Sequence, residues 1–142
     1  MGHIQKSQIK KGALIAEVHG KTVSTTIRDI LPDGIKLEIN WQGQTTGKYT
    51  AGHTETATIT QKMDATADWE TKAMEMTPEG DTIIITGQGH GSAKYPSSTW
   101  EGELKYMTMS PRLSWLNNKK IWIEGLNNIA TGEVQSKAYE ML

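Results

Sequence analysis

The sequence predicts an all-β protein: a calycin-like, antiparallel up-and-down (meander) β-barrel with one short helix near the C-terminal third. Three observations predict it. Apolar and polar residues alternate with period two through most of the chain, and Pro–Gly turns punctuate the alternating runs. Phe is absent, Trp, Tyr and Met supply the bulk and Thr is abundant, and β-branched and aromatic residues suit a pleated surface. A length of 142 residues is that of one domain. We assign a flexible N-terminal segment to residues 1–11 and a single barrel to residues 12–142.

His19 and Gly20 read as a turn, which makes His19 a solvated loop residue. "TVSTTIRDI" and "IKLEINWQ" then form a hairpin across "LPDG", where Pro32 and Gly34 supply the turn chemistry. Ile35, Leu37, Ile39 and Trp41 share one face of the second strand. "HTETATITQK" is extended, "MDA" turns, and "TADWETKAMEM" returns. In that run Ala65, Ala67, Trp69, Thr71 and Ala73 alternate with Thr66, Asp68, Glu70 and Lys72. "TPEGD" is a second Pro–Gly turn, answered by "TIIITGQGHG". After "SAKYPSS", the run "TWEGELKYMTM" sets Trp100, Gly102, Leu104 and Tyr106 on one face. "SPRLSWLNN" breaks the rhythm as one helical turn, with Ser110 as cap, Pro111 in the first position and Trp115 as a lid on the core. "KIWIEG" and "GEVQSKAYEML" complete about nine strands. A meander of this kind hides its edges by closing into a barrel, with a two-sheet sandwich as the alternative.

The run "GQGHG", then "STWEGELKYMTMSPRLSWLNN", "WIEG" and a terminal "KAYEM" resembles a small prokaryotic family of uncharacterised proteins. Its marks are a Gly-x-Gly-x-Gly strand, a Trp-x-Gly strand and a Leu-Asn segment before two last strands, here across residues 12–142. The organisation is also similar to lipocalin and allene-oxide-cyclase barrels, a likeness of architecture that implies no activity.

The 15 basic and 16 acidic residues nearly cancel, so there is no electrostatic footprint for nucleic acid. No apolar run has the length of a membrane span, and the absence of Cys fits a reducing compartment; the expected location is cytoplasmic. "TGQGHGS" is not a phosphate loop, because a dinucleotide fingerprint needs G-x-G-x-x-G leading into a helix. Gly87, Gly89 and Gly91 instead lie on one face of a strand, where they bend it or let a ring lie against the backbone.

No histidine pair has metal-ligand spacing and no cofactor motif is present, so neither a metal nor a cofactor is assigned. The leading expectation is a binding protein for a small, largely apolar molecule. Trp41, Trp69, Trp100 and Tyr106 would line its interior, next to small residues such as Ala67, Ala73 and Gly89. His53, His90 and Glu55 would supply polar contacts at the mouth. A second expectation is an isomerase or cyclase in which His53 or His90 moves protons with Glu55 or Glu70. A third is a self-assembling protein that uses leftover strand edges or Met74, Met76, Met107 and Met109.

Overall fold

The computed structural model describes residues 9–142. Eight antiparallel strands follow one another round a closed barrel, and the eighth bonds to the first. They are β1 (Lys11–Leu31), β2 (Gly34–Gly47), β3 (Ala51–Lys62), β4 (Thr66–Met76), β5 (Thr82–Lys94), β6 (Ser97–Thr108), β7 (Ile121–Asn128) and β8 (Glu133–Met141). Closure excludes the sandwich. Of the expected flexible segment over 1–11, residues 1–8 lie outside the described part, and Lys11 already begins β1.

The count of about nine strands is corrected to eight at His19–Gly20. This pair forms no turn, because Gly20 lies inside β1, paired with Gly43 on one side and Val134 on the other. A Cβ there would meet the Gln42 carbonyl oxygen at 2.1 Å, so the glycine serves close strand approach. His19 is accordingly an exposed strand residue. Ala65 is also corrected: it leaves the alternation with a left-handed φ of 73° in the β3–β4 turn. Asp64 holds that turn by accepting from the Thr66 backbone N–H at 3.0 Å and its hydroxyl at 2.6 Å.

A 3₁₀ helix, Pro111–Leu116, stands against one end of the barrel. Leu113 and Leu116 are buried with Ile15, Ile83 and Ile121, and Trp115 packs on this cluster. Ser110 holds the cap position but makes no side-chain capping bond. The anchoring comes from Asn117 instead, whose amide accepts from the Thr108 N–H at 2.8 Å and donates to its carbonyl at 3.1 Å.

The glycines make room for indoles. A Cβ on Gly89 or Gly102 would come within 2.7 Å of the Trp69 ring, and one on Gly125 would touch the Trp100 ring at 2.0 Å. Trp69 and Trp100 meet edge to face at 5.6 Å, and the Trp100 Nε1–H donates to Asn127 at 2.8 Å. Gly125→Ala therefore has to displace a ring and its hydrogen bond. We expect a loss of about 1–3 kcal/mol, read as a lower urea midpoint with an altered near-ultraviolet circular dichroism signal.

On the outside, Met74, Ile84 and Met107 are successive register partners across β4, β5 and β6, and all three are exposed. No helix of the described residues is long and apolar enough to cross a membrane.

Candidate functional site

β3 and β4 each send alternate side chains inward, and their register sets His53 directly opposite Glu75. Glu75 has no exposed surface. One of its carboxylate oxygens accepts from the Thr45 hydroxyl at 2.6 Å and lies 2.7 Å from His53 Nδ1; the other accepts from the Tyr49 hydroxyl. Two residues along β3, Glu55 places an oxygen 2.6 Å from His53 Nε2, and its second oxygen accepts from the Thr71 hydroxyl at 2.5 Å. The Trp41 ring packs on the imidazole with centroids 4.7 Å apart. The result is an imidazole between two carboxylates inside an apolar barrel.

Charge follows from this geometry. Burial by itself holds an imidazole neutral. Here the hydrogen bonds and charges of Glu55 and Glu75 outweigh it and raise the His53 pKa from 6.5 to about 9. His53 is thus an imidazolium at neutral pH, donating from both nitrogens. Burial first, then the neighbouring Tyr106 and Glu75, drive Tyr49 well above the usual phenol range. Tyr106 moves the same way, from burial and then the Glu75 charge. Both phenols therefore stay protonated and can donate.

An internal cavity of about 20 Å³ adjoins this network, walled by Glu55, Thr71, Trp69, Trp100, Leu104 and Tyr106. That volume holds about one water. Gly89 and Gly102, inward positions expected to leave space, are covered by the Trp69 ring. A larger open groove of about 610 Å³ runs across β5 to β8, lined by His90, Glu101, Glu124, Gln135 and Lys137. It shares only Trp100 and Ser136 with the internal cavity.

Trp41, Trp69, Trp100 and Tyr106 all turn inward, with Trp100 the least buried of the four. His53 and Glu55 meet, as their spacing of two implies. His90 does not join them. It lies between Gly89 and Gly91 on the opposite face of β5, where its Nε2 is 3.5 Å from Glu101. The pairing of His53 and His90 at one mouth is therefore corrected. Glu70 is exposed, opposite Thr58 and Gln88, on the face of β4 turned away from the network. The sequence reading missed Glu75, Tyr49, Thr45 and the part played by Thr71. One signal for Glu75 was present: it continues the inward run Trp69, Thr71, Ala73. Among the described residues no group of His, Cys, Asp or Glu is arranged to hold a metal ion.

No family model matches the chain, and no curated protein matches it. Solved structures do match. A protein of unknown function from Clostridium acetobutylicum superposes with a TM-score of 0.80 at 12% identity, covering 91% of this chain and 97% of its own. A β-barrel-like protein from Acinetobacter baumannii gives 0.78 at 15%, covering 94% and 96%. An enzyme from Penicillium herquei gives 0.67 at 20%, covering 90% and 92%. At these identities the likeness is one of fold. The chain is a β-barrel similar to bacterial barrels of unknown function and to one enzyme.

Proposed function

We propose that the barrel binds a small, largely apolar molecule against Trp69, Trp100 and Tyr106 and moves a proton on it, as an isomerase or cyclase does. One observation carries this reading: the Glu55–His53–Glu75 relay is buried, hydrogen-bonded at every member, and presents Glu55 to the internal cavity. Glu55 is the base, taking a proton from carbon beside a carbonyl and returning it to a neighbouring position. His53 holds Glu55 in place and balances its charge. The Tyr106 hydroxyl, kept protonated by burial, donates to the oxygen on which negative charge develops. The substrate needs more room than about 20 Å³, so Trp69 and Trp100 move as it enters. The fold supports the reading by analogy alone: the Penicillium herquei relative is an enzyme, and lipocalin and allene-oxide-cyclase barrels share the outline.

A second reading is a binding protein without turnover. It is favoured by the fact that both Glu55 oxygens are already engaged, by His53 and by Thr71. One experiment separates the two. Enolisable ketones with apolar bodies are incubated with the protein in D₂O, and deuterium uptake is followed by NMR, with tryptophan emission reporting binding. We expect exchange that falls roughly 10²–10⁴-fold in Glu55→Gln while the emission change persists. Binding without exchange supports the second reading, and the absence of both ends the proposal.

A further inference from the structure

β1 is longer than its neighbours can cover. It pairs with β2 from Ala16 to Leu31 but with β8 only from Lys11 to Lys21. The Thr22 N–H still donates to the Gly132 carbonyl at 2.8 Å. From Val23 to Leu31 the outer edge meets no strand, and every residue from Val23 to Ile30 is exposed. Such an edge is a template for another strand, and the usual blocks, Lys and Pro, are missing between Val23 and Leu31. A shorter free edge is protected: where β6 outruns β7, the Asn117 side chain takes both backbone groups of Thr108.

The register slips between Thr22 and Ser24 and again between Ile27 and Asp29. Bulges often blunt an edge, but these two collect apolar side chains. After them Thr25 opposes Ile39, Ile27 opposes Leu37 and Ile30 opposes Ile35. Opposed residues share a face, so Ile27 and Ile30 lie on the same side of the sheet as Leu37 and Ile59. They remain 62% and 71% exposed, with Val23 at 62%. Met63 lies at the same hairpin tip, its N–H bonded to the Asp33 carbonyl at 2.9 Å, and is also exposed. Backbone that meets no strand, with only the Ile30 N–H taken locally by Asp29 Oδ1 at 2.9 Å, and an unpartnered apolar face therefore coincide in one segment.

We propose that this edge pairs with the same edge of a second copy of this chain, antiparallel across a two-fold axis, to form a homodimer with a sheet continuous between barrels. Two observations select a second copy. Among the described residues this is the one long free edge, so a two-fold pairing uses it up and stops, as isologous contacts do. The segment is also neutral, with Arg28 and Asp29 as its only charges. Arg28 is held by Glu38 of its own chain at 2.7 Å, so it is not free to pair across the contact, and the low net charge of the segment leaves little to repel a second copy. A two-fold normal to the sheet keeps both apolar faces on one side, so Ile27 and Ile30 of the two copies become contiguous. The inference goes beyond the proposed proton transfer and does not rest on it.

Light scattering on the full chain, with Ile27→Lys and Met107→Lys as variants, tests it. We expect the wild-type mass to be twice that of one chain. Ile27→Lys, at an exposed position, should halve that mass with an unchanged circular dichroism spectrum and, measured at concentrations where the wild type is also monomeric, an unchanged urea midpoint. Met107→Lys, on the separate Met74–Ile84–Met107 row, should leave the dimer intact. Amide exchange from Val23 to Leu31 should slow by about tenfold or more between dilute and concentrated wild type. A wild type that stays monomeric when concentrated overturns the proposal, as does a mass that grows beyond two chains. A dimer that survives Ile27→Lys but is lost in Met107→Lys would also overturn it and place the contact on the methionine row.

Discussion

Glu75→Ala is expected to lower the unfolding free energy by about 3–5 kcal/mol. The side chain has no exposed surface and answers three donors at once, from Thr45, Tyr49 and His53. Removing it leaves two hydroxyls and an imidazolium facing an empty, dry space, where each lost partner carries its own desolvation cost. Glu75→Gln keeps the volume and one acceptor oxygen, so we expect a smaller loss of about 1–3 kcal/mol. Urea unfolding checks both, with the slope unchanged and only the midpoint moving. A Glu75→Ala protein within about 0.5 kcal/mol of wild type would mean that the network contributes nothing to the folded state. The pair also separates structure from chemistry. If Glu75 acts only by holding His53, then Glu75→Gln should reduce proton exchange far less than Glu55→Gln does.

Stability is expected to fall as pH rises from near 6.5 to beyond 9, by about 3 kcal/mol. The sign follows from His53. Its pKa is raised in the folded state to about 9 from an ordinary 6.5, so the folded form binds the proton more tightly than the unfolded form. The stabilisation is complete below pH 6.5 and disappears as the imidazolium loses its proton through about 9. His53→Gln should flatten the profile over this window. Titration of the imidazole by NMR gives a direct check. A midpoint at or below 6.5 would show that burial outweighs the two carboxylates, and the loss of stability on the alkaline side would then vanish.

Both experiments act on residues that a reading of the chain sees unequally. His53 and Glu55 stand two apart on one strand, so their shared face is a local property, legible from spacing. Glu75 is 22 residues from His53. In sequence it looks like a polar interruption at the end of an apolar face, and only the β3–β4 register turns it into a partner. His90 shows the converse. Its glycine neighbours suggest a special position, yet parity sends it outward to Glu101.

Period two by itself determined that the protein is built of strands, which faces of most of them are dry, where the Pro–Gly hairpins fall, and that Trp41, Trp69 and Trp100 look inward. It also placed the glycines of β5 as architecture, and the rings of Trp69 and Trp100 do lie against glycine backbone in the barrel. Tertiary structure alone decided that β8 closes on β1, that β1 runs unbroken through His19 and Gly20, and that Glu75, Tyr49 and Thr45 converge on His53. The reason is physical. Which way a side chain points along a strand is set by its immediate neighbours. What it meets there depends on pairings between distant segments, which form only when burial of the whole interior offsets the entropy of bringing them together.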